Sequence, residues 1–275
     1  MEQLWTLLSA YGYALAFTLT VYVAGFAIER ARPAEPIDWH SLLFNLQTLL
    51  IFQVIATVLA YVVQPAVQRA FTQYAPGVAG QIKLQGLGAS AAWLVVYLFA
   101  YDFFYYWLHR AQHAVPWLWS IHRLHHTETH LNVTTTLRVH WLEEVCKLPA
   151  IALPMMVLFD GPPVAVGIFA GALRYWLYFI HLNARVSFGP LSWLMTNPAV
   201  HRIHHSIEER DRDRNFAALF PIWDILFRTY NPPRRGEWPR TGVEGIVESG
   251  ALNATVAPVS LMLATRRRRI SSAPL

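Results

Sequence analysis

The chain has 275 residues, 55% of them hydrophobic and only 14% charged, a balance that excludes an ordinary soluble enzyme and describes a polytopic membrane protein. Its net charge of +5 is concentrated in arginines late in the chain, which accompany apolar and aromatic segments and no nucleic-acid motif; lipid headgroups or topogenic retention account for them, and nucleic acid is not an expected partner. The single cysteine, Cys146, cannot make an internal disulfide.

Leu4–Ile28 carries no charge and ends at Glu29-Arg30-Ala31-Arg32-Pro33. As a helix it is long enough to cross a hydrocarbon core of about 30 Å. MEQLW lacks a basic leader, so the stretch reads as a first span and not as a cleaved signal. Leu42–Val63 is a second uncharged stretch, closed by Gln64-Pro65. Ala89–Leu108 is a third, interrupted only by Asp102, and a carboxylate at membrane depth is costly and by default functional.

Two apolar arms follow, Leu148–Phe159 and Val164–Ile180, around Asp160-Gly161-Pro162-Pro163. The first arm is too short to cross unless Val145–Lys147 contributes, so a hairpin that dips in and returns stands beside two full crossings. Either way the flanking segments return to one side of the membrane. The Arg266–Arg269 run argues that this side is cytoplasmic, against a milder contrary signal from Arg69 and Lys83. Beyond it, Asn197 and Pro198 read as the N-cap and first position of a short helix. The expected fold is all-α: three spans plus a hairpin, with a cytoplasmic histidine-rich helical cap. It forms one integral-membrane domain over 1–275, with the chemistry in 89–230.

The histidines carry that chemistry. His109/His113 form a His-x3-His, and His122/His125/His126 and His201/His204/His205 form two His-x2-His-His triplets. On a helix, positions i, i+3 and i+4 share a face, so each cluster aims its rings at one place. Neutral imidazole is a ligand for iron, zinc, copper or nickel, and eight converging rings are too many for one ion. A two-metal centre is the economical reading. A lone histidine is usually a satisfied core or surface residue, which is how His40 and His130 read. His181, closing the hairpin with Asn183 beside it, and His140, followed by Glu143 and Glu144, are candidate further ligands. Asp102 shares a helical stripe with Tyr106, His109 and His113, but about two turns, roughly 10 Å, separate it from His109. It is therefore expected to orient a ligand and not to be one.

The segments DFFYYWLHRAQH (102–113), HRLHHT (122–127), TTTLRVHWLEE (134–144), HLN (181–183), NPAVHRIHH (197–205) and RNFAALFPIWDILFRTY (214–230) together resemble the fatty acid hydroxylase superfamily, and within it bacterial sterol-desaturase-like proteins. The resemblance covers roughly Ala89–Tyr230. It implies a non-haem centre of two iron ions held by His109, His113, His122, His125, His126, His201, His204 and His205, with His181 where the family has a histidine after the hairpin. His140 matches a position usually written His-Pro-x-Asp/Glu; here Trp141 replaces the proline and Glu143 keeps the acid. Asp102, Glu143 and Asn183 complete the expected catalytic set. The family's activity is oxygen-dependent hydroxylation or desaturation of a lipid C–H bond. O2 is the co-substrate, and zinc can displace ferrous iron in purified material. Trp107, Trp117, Trp119, Trp141 and Trp176 are candidate walls or interfacial anchors. No haem domain, flavin fingerprint or ferredoxin cysteine set is present, so electrons are expected from a separate ferredoxin or cytochrome b5-like protein, in a bacterial inner membrane. Two rival readings are a histidine-rich membrane metal transporter or metal-binding protein, and a zinc hydrolase. The first would place ligands within the spans as a path, and the second lacks a His-Glu-x-x-His motif.

Overall fold

The computed structural model describes residues 1–74, 77–78, 80, 87–159, 173–245 and 250–256. Among them there is no strand; Ser206 and Thr241 form an isolated antiparallel bridge. The loop 160–163, most of the second hairpin arm, Lys83 and the Arg266–Arg269 run lie outside these residues.

Helix α1 spans Glu2–Ala31 and α2 spans Trp39–Tyr74. Both are long and apolar enough to cross a membrane, and only 17% and 28% of their most apolar windows are buried. Leu4, Trp5, Val23, Leu43, Leu50 and Val54 instead present bare apolar surface. A soluble domain rarely exposes so much, whereas lipid requires it. The third expected span forms the first part of α3, Leu87–Ala114, which continues beyond it to carry His109 and His113.

Gln64-Pro65 does not end the second span, contrary to the expectation from sequence. Leu59–Val63 widens into a π turn in which Gln64 N–H reaches back to Leu59 O, and the helix runs on to Tyr74. Proline lacks an N–H and crowds the preceding turn; the wider turn is one way a helix absorbs it. The same device carries the first hairpin arm, α5, through Pro149. Leu142–Lys147, the π turn Leu148–Ala152 and Leu153–Leu158 are continuous, so the arm is longer than its apolar run. Residues 173–180 form α6.

The site-bearing helices are short. Helix α4, Pro116–His126, starts on a proline at its first turn and buries Leu118, Ile121, His122, Leu124, His125 and His126, one stripe at helical spacing. Helix α7, Pro198–His204, is capped as its sequence suggests, with the Asn197 side chain accepting from Val200 N–H. Helix α8, Ile222–Leu226, packs beside α3 and closes that end.

Buried polar contacts lock this cap onto the bundle. Glu29, near the C-terminal end of α1, accepts backbone N–H groups of Val133 (2.7 Å) and Asn183 (2.9 Å). Gly25, one turn earlier, lies so close to Val133 that a Cβ would come within 2.6 Å of it. Ser41 and Asn45 of α2 donate to Glu128, and Arg138 bonds Asn45 Oδ1, Leu124 O and Thr127 Oγ1 while covering the Phe44 ring. Such groups are tolerated in a core only when satisfied, and together they fix α4 against α1 and α2. The C-terminal ends of α1 and α3 and the N-terminal end of α2 therefore meet at one end of the bundle.

Candidate metal centre

Nine histidines converge there in two groups. His109 and His113 of α3, His122 and His126 of α4 and His204 of α7 form the first; His125 of α4, His181 after α6, and His201 and His205 of α7 form the second. Within each group the ligand atoms all lie within 4.8 Å of one another. Because i, i+3 and i+4 share a face but not a direction, α4 and α7 each divide their triplets between the groups. The sequence pattern anticipated the convergence, not the division.

Nearest Nε2 atoms stand 3.1 Å apart for His109/His122, His113/His126 and His125/His181, 2.9 Å for His181/His201, and 3.2 Å for His122/His126 and His201/His205. The His109/His122 contact is not a hydrogen bond, because in both rings Nδ1 is already committed as a donor, and three further rings are committed in the same way. His109 Nδ1–H donates to Phe216 O (2.7 Å), His204 Nδ1–H to Arg214 O (2.7 Å), His181 Nδ1–H to Leu177 O (2.7 Å), His122 Nδ1–H to Glu143 (3.1 Å) and His113 Nδ1–H to Asp213 (3.2 Å). The Nε2 atoms of these five rings are left as lone pairs, and His204 Nε2 is buried without a partner, as are His125 Nδ1 and His205 Nδ1. A cation between them resolves the repulsion. Ligands at about 2.1 Å from one ion and roughly a right angle apart would be separated by about 3 Å, close to the spacing observed.

Burial also keeps the rings in their ligating form. Desolvation, then neighbouring imidazoles, hold His109, His125, His126, His201, His204 and His205 well below the usual imidazole range. Burial lowers His113 and His181 to about 4, against upward pulls from Asp213 and Leu177 O respectively. Glu143 is also buried, which alone would raise its pKa; His122, with lesser help from Lys147 and Gln112, pulls it below the ordinary carboxylate range.

Three expected site residues lie outside the two histidine groups. His140 is the clearest correction: its Nε2–H donates to Thr255 O (2.7 Å) and its Nδ1 accepts Leu142 N–H (3.2 Å), so both nitrogens are taken. Asp102 accepts the N–H groups of Ala218 (3.0 Å), Leu219 (3.0 Å) and Phe220 (2.8 Å), fixing the segment that supplies Phe216 O. Asn183 binds the backbone of Glu35 through its side chain and thereby holds the α1–α2 connection. Glu143, by contrast, stands directly behind His122.

Sequence reasoning missed the loop 213–216. It presents Asp213, Arg214 O and Phe216 O to three ligands of the first group. Asp213 and Asn215 both adopt φ 57°, a left-handed conformation that Asp and Asn tolerate better than most residues, and Asn215 ties the loop to Val200 O and to both backbone groups of Asn231. Short polar residues alternating with arginine in RDRDRN (210–215) were the available signal.

A cavity of about 620 Å³ opens beside the centre. Phe17 of α1, Phe52, Ala56 and Ala60 of α2, and Leu94 and Leu98 of α3 form its apolar part; His122, His125 and His181 stand at its polar end. It runs between the bundle helices up to ligands of both groups. Trp119, whose ring lies 5.1 Å from that of His113, walls the first group from another side.

Comparison with known proteins agrees. The fatty acid hydroxylase family model matches residues 94–229. Alkylglycerol monooxygenase of Xenopus tropicalis is 32% identical over 142 residues, covering 52% of this chain and 31% of that protein. Ornithine lipid hydroxylase OlsE of Rhizobium tropici is 31% identical over 160 residues, covering 58% and 48%, and fatty acid hydroxylase vlmA of Lecanicillium sp is 32% identical over 158 residues, covering 50% and 42%. The chain thus spans about a third to a half of the length of these relatives, and no solved structure matches it. The matched region contains all nine converging histidines, and by that match and that geometry the chain belongs to the fatty acid hydroxylase superfamily.

Proposed function

We propose that this protein is an oxygen-dependent lipid hydroxylase or desaturase whose nine converging histidines hold two iron ions. The observation that carries the reading is the pair of buried imidazole groups at the end of an apolar cavity that opens among membrane helices. When loaded, the metals would supply oxygen activation. The protein's own residues do the rest. Backbone carbonyls and carboxylates fix the Nδ1–H of His109, His113, His122, His181 and His204, so the Nε2 lone pairs of these five rings face inward without rearrangement. The cavity wall orients an acyl or alkyl chain arriving from the lipid phase and keeps bulk water from the reacting carbon.

A transport role is not favoured: the ligands close into two compact groups and do not line a path through the bundle. Zinc hydrolysis is not favoured either, since one ion with an open position needs only about three protein ligands.

We place the centre on the cytoplasmic side of a bacterial inner membrane, in a single integral-membrane domain. We assign the electron supply to a separate ferredoxin or cytochrome b5-like protein. Exposed Arg212, Arg234 and Arg235 on the cap offer an acidic donor a complementary surface. The test is a lipid comparison of cells with and without the chain, grown under labelled oxygen. Gain of one labelled oxygen identifies hydroxylation and loss of two hydrogens desaturation; an unchanged lipid profile overturns the reading.

A further inference from the structure

Glu143 is about 95% buried and lines the cavity, and its two carboxylate oxygens differ in what they do. Oε2 accepts from His122 Nδ1–H (3.1 Å) and from Gln112 Nε2–H (2.8 Å), while Oε1 is buried with no hydrogen-bond partner. An unsatisfied buried carboxylate oxygen is costly, and its natural complement is a donor brought by a ligand. The other charged groups near the polar end do not meet that need: Lys147 is paired with Glu144, and Arg174 lies over the Phe17 ring.

We infer that Glu143 Oε1 is the head-group anchor of the substrate: it accepts a hydrogen bond from a hydroxyl or N–H donor on the polar end of an amphiphile whose chain fills the apolar part of the cavity. This rests on the reading of the cavity as a substrate chamber and narrows it. Because Glu143 touches His122, a head held on Oε1 stands one side chain away from the first ligand group. The oxidised carbon is therefore only a few bonds from the head, and the far end of the chain is out of reach. A plain hydrocarbon, or a lipid whose head offers acceptors alone, fits the apolar walls but leaves Oε1 bare.

The test uses the full chain in lipid nanodiscs and measures retention of 1,2-hexadecanediol and of its di-O-methyl ether, which has the same chain and no donor. The wild type should retain the diol at least about tenfold better, the scale of one hydrogen bond to a buried charged group. In Glu143→Gln the amide oxygen can still accept from His122 while the amide N–H takes the place of Oε1, so the preference should vanish or invert. Equal retention of the two probes by the wild type overturns the anchor, as does an undiminished preference in Glu143→Gln. Because binding is read without oxygen or electrons, failure of the oxygenase reading would leave this result unmoved.

Discussion

The rings of His126 and His205 lie nearly parallel, 23° apart with centroids separated by 4.4 Å, although one belongs to the five-histidine group and the other to the four-histidine group. The two groups are therefore neighbours sharing a wall, and substitutions should resolve them. His201→Ala should lower bound metal from about two equivalents toward one, whereas His140→Ala should leave it unchanged; elemental analysis of the purified protein distinguishes the two. Equal losses from both variants would contradict the assignment.

Acid should strip the metal late. A ligating ring must be neutral, and burial has lowered His113 and His181 to about 4 from an ordinary value near 6.5. Since their folded values are depressed, the neutral form persists as pH falls through 6.5, and protons compete only as pH approaches 4. Metal retained after stepwise equilibration should stay flat between pH 7 and about pH 5 and then drop, with thermal stability dropping alongside it. Loss centred near pH 6.5 would show ligands open to solvent.

Loop 213–216 should control the first group alone. Asn215→Ala removes three hydrogen bonds and strains a residue at φ 57°, whereas Asn215→Gly removes the bonds and relieves the strain. Both should lose metal from the five-histidine group, and the alanine variant should be less stable than the glycine variant by roughly 1 kcal/mol. Metal titration and unfolding in detergent report the two effects separately.

Asp102→Ala should cost about 3 kcal/mol, because three N–H groups, two of them buried, lose their acceptor, and Asp102→Asn should cost less because one amide oxygen remains. A direct role at the ions would instead remove activity without moving stability.

Cavity length should set chain length. Ala60→Trp occupies the apolar part of the cavity, so the labelled products should shift to shorter chains while metal content holds. An unchanged product profile would indicate that the chain lies elsewhere.

Much of this was legible in the residues. The triplets at His122 and His201 announced rings on common helix faces, and His181 joined them as its place after the hairpin suggested. Less visible was everything decided by long-range partners. Nothing near His140 reveals that Thr255, more than a hundred positions later, takes its Nε2–H. Asp102 shares a stripe with ligands yet serves a distant backbone. Pro65 reads as a stop because the wider turn that absorbs it has no simple residue signature. Glu29 reads as the charged end of a span, although it is 1% exposed and bonded across the fold.

That carboxylate has a consequence for modularity. Residues 94–229, the stretch shared with the family, include Val133 and Asn183, whose amides both end on Glu29. Grafted behind a different anchor helix, the shared stretch would carry two naked amides into its interior and lose the strut beneath His181. The leading helix is a fitted part of the machine it introduces, and a generic tether could not replace it.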